Sequence, residues 1–125
     1  MTSSRQIVER RKHKRFQVPK GLFAVLGSGY TKVGPVVDIS MKGLAFRYIN
    51  KREPSNGAHM DIFTIGGDFY LPKVPVKTIS DVEVLAGTPS SSIAMRRCSV
   101  HFGELTSYQK AQVEQFIQDH AIGET

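Results

Sequence analysis

Apolar residues along most of the chain occur in short runs, which are separated by Gly, Pro, Asn and Ser. The runs are rich in β-branched and aromatic residues, a composition typical of strands bounded by turns. One run alternates, with Val74, Val76 and Thr78 on one face and Lys73 and Lys77 on the other, as expected of a strand with one solvated face. The pattern predicts strands at residues 21–26, 31–39, 44–49, 59–65, 68–71, 74–85 and 93–102.

A pair of glycines, Gly66-Gly67, separates two of these predicted strands. Glycine tolerates the positive φ angles that tight hairpin turns require, so the pair predicts a two-residue hairpin loop. The segments 51–57 and 86–92 are predicted to be longer loops. The middle of the chain therefore has an all-β pattern with turns at close intervals.

The periodicity changes near the end of the chain. Thr106 and Gln109 have the spacing of a capping box, in which each side chain bonds the other residue's backbone N–H group. Val113, Phe116 and Ile117 then form an apolar stripe with helical spacing. These features predict one helix over residues 107–121, which packs on the open end or the flank of a small antiparallel barrel or sandwich.

The composition limits the possible classes of protein. With 125 residues, 40% of them hydrophobic, the chain is expected to form one domain with a single core. Cys98 is the one cysteine, so no intrachain disulfide can form, and the Cys and His residues lack zinc-site spacing. No apolar run approaches the roughly 20 residues that span a bilayer, and there is no signal-peptide pattern. We expect a soluble, cytoplasmic protein with no metal site and no membrane insertion.

The positive charge is concentrated at the N-terminus. The formal net charge is +6, and residues 1–15 contribute six basic side chains and one acidic side chain. Arg11 and Arg15 lie four positions apart, which places them on the same side of either a helical turn or an extended segment. An arginine fork can bind a phosphate or the O6/N7 edge of guanine through two hydrogen bonds. The alternative is a solvated, disordered tail, the usual state of terminal charge runs.

A second group of polar residues follows the second predicted strand. Because side chains two apart in a strand share a face, Asp38 and Ser40 are expected on one face, and Val37 and Ile39 on the other. Gly43 then permits a tight turn and a close approach of backbone. The alternative is an ordinary strand, turn and strand, in which Asp and Ser are present only because turns favour them.

Together the two groups of residues match a known pair of motifs. Arg11-Lys12-His13-Lys14-Arg15 fits RxxxR, and Asp38-Ile39-Ser40-Met41-Lys42-Gly43 fits [D/N]xSxxG, in that order along the chain. In this arrangement they resemble the PilZ family of bacterial cyclic di-GMP receptors. The resemblance spans nearly the whole chain and implies an all-β fold, a six-stranded antiparallel β-barrel of the split-barrel type with a C-terminal helix. In this interpretation residues 1–15 are a flexible basic arm, and residues 16–125 are one barrel domain with its helix at 107–121.

The resemblance also implies a ligand, cyclic di-GMP, and the residues that bind it. Arg11 and Arg15 would hold phosphates and guanine edges, while Asp38, Ser40 and Gly43 would surround one guanine. A carboxylate accepts hydrogen bonds from guanine N–H groups, and a hydroxyl can donate or accept. Separately, we hypothesise that Arg10 contacts a second, stacked ligand molecule. No other cofactor is implied.

The function implied is that of a receptor and adaptor, which changes conformation on binding the second messenger and signals to motility, exopolysaccharide or similar machinery. Its effector protein is not identified by the sequence. One alternative is a degenerate member of the family that binds proteins and no ligand. Another is a nucleic-acid-binding barrel with a basic arm, which is disfavoured because the residues after the arm are nearly neutral and no dense aromatic platform is present.

Catalysis is not expected from this sequence. Cys98 and His101 would be the candidate nucleophile and base, but three positions along a strand place them on opposite faces. Cys98 is better explained as a small core residue.

Arg96 and Arg97 are likewise predicted to face opposite sides of the last strand, so at most one of them can face a ligand.

Overall fold

The computed structural model describes residues 14–18, 20–27, 32–49, 59–85, 94–120 and 123–124. Within these ranges the chain forms eight strands and one helix. That helix is too short and too polar to cross a bilayer. The elements are β1 (Phe16–Gln17), β2 (Leu22–Leu26), β3 (Lys32–Ile39), β4 (Gly43–Ile49), β5 (His59–Thr64), β6 (Tyr70–Leu85), β7 (Met95–Phe102), α1 (Ser107–His120) and β8 (Gly123–Glu124).

Six of the described strands close into an antiparallel barrel. The strands follow the order β2, β5, β6, β7, β4 and β3, and the pairing of β3 with β2 completes the ring. The same order continues outward from β3 to β1 and then to β8. The predicted all-β architecture, a six-stranded barrel with a C-terminal helix, is confirmed.

Alternation along the strands builds the core. In β4, Leu44, Phe46 and Tyr48 are buried inside the barrel, while Arg47 and Ile49 between and beyond them are exposed. Burying large apolar side chains stabilises the fold by about 1.5–3 kcal/mol each. The core also contains Leu22, Ala24, Leu26, Val36, Ile39, Met60, Ile62, Leu71, Val74, Val76, Cys98 and Val100.

Helix α1 begins and packs as its sequence predicts. The Gln109 N–H donates to Thr106 Oγ1 and the Thr106 N–H donates to Gln109 Oε1, both at 3.0 Å, which is the reciprocal capping box. Val113 and Phe116 are buried in the barrel core, and the Phe116 ring lies 4.8 Å from that of Phe69, just before β6. The apolar stripe is therefore used to cover the region where β6 begins. Residue 121, the predicted end of the helix, lies outside the described residues.

Strand β6 differs from the prediction. The sequence predicts two strands, at 68–71 and 74–85, whereas one continuous strand runs through Pro72 and Lys73. Its pairing with β5 is irregular at this point, and Lys73 adopts a positive φ of 55°. The Lys73 N–H donates to Asp61 Oδ1 at 2.9 Å, so a side chain replaces the backbone partner that a regular ladder would supply. The strand can therefore continue, and it pairs with β5 over its first part and with β7 over the rest.

The turn between β5 and β6 lies where predicted but is longer. Gly66 and Gly67 have φ angles of 106° and 85°, as their role in a turn requires. The Thr64 N–H donates to the Phe69 carbonyl at 2.9 Å, so the loop spans residues 65–68 and is not limited to the two glycines. The predicted two-residue loop is wrong in length, because Thr64 Oγ1 also accepts the Phe69 N–H and closes the wider turn.

Strands β1 and β8 are not predicted by the sequence pattern. Each has only two residues, and they lie side by side, with Phe16 opposite Glu124. On its other edge β1 pairs with the end of β3, with Phe16 opposite Ile39 and Gln17 opposite Asp38. Residues 1–13, most of the predicted arm, lie outside the described residues, whereas Arg15 directly precedes β1.

A compact group of charged side chains lies on the inward side of β6 and β7. The Asp81 carboxylate accepts hydrogen bonds from the Tyr48 hydroxyl at 2.6 Å, from Lys32 Nζ at 3.0 Å and from Arg96 Nε at 2.9 Å. Burial raises the pKa of Asp81, but the bonds from Tyr48, Arg96 and Lys32 lower it by more, so the net shift is downward. Burial, together with the bond to Asp81, raises the pKa of Tyr48 well above its usual range. The group is therefore an ionised carboxylate satisfied by three donors.

We expect Asp81→Asn to lower the free energy of unfolding by about 1.5–3 kcal/mol at neutral pH, because charge-assisted bonds to Asp81 are lost. The pKa of folded Asp81 lies below its ordinary 3.8, so this stabilisation is present above that value and disappears as the pH falls through the folded-state pKa. Urea unfolding at a series of pH values measures both effects. The matched control is Asp68→Asn, which changes an exposed carboxylate in a turn; equal losses in the two variants would contradict the expectation.

Candidate functional site

One extra residue in β3 turns Asp38 to the outside of the barrel. Val36 pairs with Phe46 and Asp38 pairs with Ala45, so Val37 has no opposite residue in β4. Val36 and Ile39, three positions apart, both reach the core, whereas regular alternation from Val36 would have turned Asp38 inward. Bulges of this kind re-aim side chains next to functional sites. The bulge therefore places Asp38 on the outer wall.

The short pairing of β1 with β3 brings Arg15 to the same place. Because Phe16 lies opposite Ile39, the residue before Phe16 lies beside the end of β3 and the turn that follows it. Arg15 and Asp38 there line one pocket of about 210 Å³. The other residues that line the pocket are Ser40, Lys42, Gly43, Leu44, Ala45, Ile79, Ser99, Val100 and His101.

The turn between β3 and β4 is held by Ser40. Its hydroxyl accepts the N–H groups of Lys42 at 3.1 Å and Gly43 at 3.2 Å, and it donates to the Gly43 carbonyl at 3.3 Å. The Ser40 N–H also donates to that carbonyl at 2.8 Å. A hydroxyl has one donor and two acceptor positions, and all three are used within the turn. In this structure Ser40 shapes the wall of the pocket through the turn that it closes.

The floor of the pocket is made of small residues on β4 and β7. Ala45 lies opposite Ser99, and Gly43 lies opposite His101. A Cβ added at Gly43 would collide with the backbone carbonyl of Val100, so only glycine permits this approach of the two strands. The predicted close backbone contact at Gly43 is present. Because Gly43, Ala45 and Ser99 have small side chains, the sheet surface is low at these positions and forms the floor of the pocket.

The acidic side chain of the pocket has a basic partner. Arg97 Nη2 donates to Asp38 Oδ2 at 3.2 Å, and the Asp38 side chain is only 8% exposed. Arg96, the preceding residue, faces the interior and binds Asp81. The prediction that Arg96 and Arg97 face opposite sides of β7 is confirmed.

His101 lines the pocket, and three cationic side chains act on it. Burial lowers the pKa of His101 below its ordinary 6.5, and the charges of Lys42, Arg15 and Lys77 lower it further. His101 is therefore neutral at physiological pH, and the surrounding positive charge opposes its protonation. Among the described residues that line the pocket, Asp38 is the one acid, so this part of the surface favours an anion.

The structure brings together four of the six residues that the sequence singled out, namely Arg15, Asp38, Ser40 and Gly43. Arg11 and Arg10 lie outside the described residues, and their roles remain predictions. The sequence also predicted that at most one of Arg96 and Arg97 faces a ligand, but it did not single out the other wall residues, although alternation along β7 would have placed 99 and 101 on one face with 97. Those other wall residues are Lys42, Leu44, Ala45, Ile79, Ser99, Val100 and His101. Arg97 contacts the pocket residue Asp38.

Cys98 and His101 lie on opposite sides of the barrel wall, as predicted. Cys98 is fully buried in the core, while His101 lines the outer pocket. Burial, with a smaller effect of Asp81, raises the pKa of the Cys98 thiol to about 11, so it is protonated and unreactive at neutral pH. In the part of the chain that the structure describes, no group of three or more His, Cys, Asp or Glu side chains is placed to hold a metal ion.

Comparison with solved structures identifies the fold. The chain superposes on the PilZ domain of YcgR from Escherichia coli, solved with c-di-GMP, with a TM-score of 0.63 and 15% identity over 88% of this chain and 90% of that one. The chain has the fold of a PilZ domain. No protein-family model matches the sequence, and no curated protein matches it significantly.

Longer solved chains share this fold over part of their length. The chain matches MrkH, described as a c-di-GMP-dependent transcription regulatory factor, with a TM-score of 0.61 and 14% identity over 89% of this chain and 51% of that one. It matches the apo state of K. pneumonia MrkH with a TM-score of 0.59 and 13% identity, over 84% of this chain and 47% of that one. The matched region therefore makes up about half the length of each MrkH chain.

We expect Ser40→Ala to lower the free energy of unfolding by about 1–3 kcal/mol, because the buried Gly43 N–H would lose its partner. Chemical denaturation of the purified variant measures the loss. Ser80→Ala is the matched control, since Ser80 is exposed on β6 and is outside the pocket. Similar stabilities of the two variants would show that the hydroxyl does not hold the turn.

Proposed function

We propose that this protein is a receptor for cyclic di-GMP, and that it binds the nucleotide in the pocket on the outer wall of the barrel. The proposal rests on one observation, that residues of both sequence motifs line the same pocket. Arg15 comes from the first motif, and Asp38, Ser40 and Gly43 come from the second. The PilZ fold, shared with a YcgR domain that was solved with c-di-GMP, supports it.

The charge of the pocket suits the phosphates of this ligand. Cyclic di-GMP carries two phosphodiester charges, and Arg15 and Lys42 supply fixed positive charge at the pocket wall. An arginine can bind a phosphate through two parallel hydrogen bonds, whereas a lysine acts as a compact point charge. In the proposal Arg11, four residues before Arg15 in the sequence, provides a second guanidinium group for the phosphates.

The remaining wall suits a purine base. Asp38 presents an acceptor for guanine N–H groups, and adenine, which has an acceptor at the corresponding ring nitrogen, would be repelled. The small floor residues Gly43, Ala45 and Ser99 allow a flat ring to lie close to the sheet. Ile79, half exposed at the edge of the pocket, supplies an apolar contact for the face of the ring.

The proposed role is that of an adaptor and not of an enzyme. Ligand binding would draw the basic N-terminal segment onto the barrel and so change the surface that an effector protein meets. The free energy for this change must come from a higher affinity of the ligand for the closed state. The effector would belong to motility, exopolysaccharide or similar machinery. Arg10 is proposed to contact a second nucleotide.

The test is isothermal titration of the protein with cyclic di-GMP, beside GTP and cyclic di-AMP, at physiological salt. We expect selective, saturable binding that Arg15→Ala weakens by about ten- to a hundredfold, since a charge-assisted hydrogen bond is worth roughly 1.5–3 kcal/mol. Lys110→Ala is the charge-matched control, because Lys110 is exposed on helix α1 and does not line the pocket.

The outcomes of this titration separate the alternatives. Absence of heat with every nucleotide would favour an interaction module that has kept the fold without the ligand. Binding that falls steeply with salt and does not distinguish cyclic di-GMP from other polyanions would favour nucleic acid. Equal losses in Arg15→Ala and Lys110→Ala would place the ligand elsewhere.

Binding should also take up a proton at His101. The pKa of His101 is lowered in the free protein by burial and by Lys42, Arg15 and Lys77, and a bound phosphodiester would oppose those charges and raise it. The complex then holds more protons than the free protein, so affinity rises as the pH falls toward the lowered pKa of His101 in the free protein, which lies below 6.5. Titrations in buffers of different ionisation enthalpy measure the proton uptake directly.

The control for this proton linkage is His101→Gln, which keeps a polar side chain in the pocket but cannot titrate. The variant should bind with an affinity that is nearly independent of pH over the same interval. A pH dependence that persists in His101→Gln would assign the proton to another group.

A further inference from the structure

The ion pair between Asp38 and Arg97 connects the pocket to a neighbouring part of the barrel wall. Asp38 lines the pocket, while Arg97 does not, so the guanidinium approaches the carboxylate from outside the cavity. Arg97 Nη2 contacts Oδ2 at 3.2 Å. Among the described residues, no other hydrogen-bond or salt-bridge partner of the Asp38 side chain is found. The second carboxylate oxygen thus has no protein donor in this part of the structure.

The register of the sheet explains how the two side chains meet. Asp38 on β3 lies opposite Ala45 on β4, and Arg97 on β7 lies opposite Arg47 on β4. The bond between Arg97 and Asp38 therefore joins β7 to β3 diagonally across β4.

Arg47 provides a comparison on the same surface. It is exposed, lies directly across from Arg97, and has no hydrogen bond or salt bridge among the described residues. Like charges opposite each other in a sheet repel, and the contact with Asp38 offsets this repulsion for Arg97. Of these two arginines, only Arg97 is paired with a residue of the pocket.

We propose that Arg97 is a positioning residue for base recognition, because it holds one oxygen of Asp38 and so orients the other toward the N–H groups of a guanine. This inference rests on the proposed function. A buried carboxylate without a partner is costly, and nothing would hold it in one orientation toward the base. Arg97 fixes that orientation by a contact that leaves the pocket itself unobstructed. It acts on the ligand through Asp38 and makes no contact with the phosphates.

The test is a double-mutant cycle on cyclic di-GMP affinity, using the full chain at low ionic strength so that weak binding remains measurable. We expect Arg97→Ala to weaken binding about tenfold, the order of a single hydrogen bond to a charged group. In the Asp38→Ala background the same change should have no further effect, since the residue through which Arg97 acts is gone. Arg97→Lys should recover part of the loss.

Arg47→Ala removes the same charge from the same face and should change the affinity less than about twofold, because long-range attraction between exposed charges is weak and screened. Urea unfolding of every variant separates a loss of affinity from a loss of folded protein. The proposal predicts a loss specific to Arg97 in folded variants that still bind the nucleotide.

Several results would overturn the proposal. An equal loss on Arg97→Ala with and without Asp38 would mean that Arg97 contacts the ligand directly, as would a crystal structure of the complex with Arg97 on a phosphate. Equal losses in Arg47→Ala and Arg97→Ala would reduce its role to general attraction. Unchanged affinity in Arg97→Ala would remove this inference alone, whereas failure of the unaltered protein to bind cyclic di-GMP would remove the proposed function and this inference together.

Discussion

Strand β3 contains one more residue than β4 across the same stretch of ladder, and the outer pocket depends on that difference. Without the bulge at Val37, alternation from Val36 would turn Asp38 toward the core, where a carboxylate would need a new set of partners. With it, Ile39 fills the interior and Asp38 faces outward beside Arg15. The same strand also closes the barrel through β2, so the element that completes the fold also places the acidic residue of the pocket.

Two adjacent arginines of β7 form ion pairs on opposite sides of the barrel wall. Arg96 binds Asp81 on the inner side, within a group that Tyr48 and Lys32 complete. Arg97 binds Asp38 on the outer side. The inner carboxylate has donors on both oxygens and holds strands together, whereas the described residues supply a donor to only one oxygen of the outer carboxylate. The two ion pairs therefore differ in hydrogen-bond satisfaction, which is complete for Asp81 and, among the described residues, partial for Asp38.

The sequence predicts much of this fold because most strands have strong local signals. These signals come from residues that are close together in the sequence: the β-branched runs, the Gly66-Gly67 pair and the Thr106/Gln109 capping box. The structure has each feature close to its predicted position. Strands β1 and β8 could not be predicted in this way, because two-residue strands are defined by their partners and not by their own composition. The continuity of β6 through Pro72 likewise depends on a distant side chain, that of Asp61.

The residues of the candidate site that belong to the two sequence motifs could be predicted, whereas the others could not. Asp38, Ser40 and Gly43 are close in the sequence, and Arg15 stands out by its charge. Ile79, Ser99, His101 and Arg97 come from β6 and β7, whose alignment against β4 is set by long-range pairing. Ile79 is itself the extra residue of a bulge in β6, so counting by twos beyond it would assign the residues that follow, such as Asp81, to the wrong face.

Strand β1 lies between β3 and β8, and this position joins the pocket to the residues that follow helix α1. A two-residue strand has too few hydrogen bonds to hold its place alone, so each of its neighbours contributes to keeping Arg15 where it is. Strands β1 and β8 therefore connect the residues after the helix, through backbone pairing, to the strand that carries Asp38.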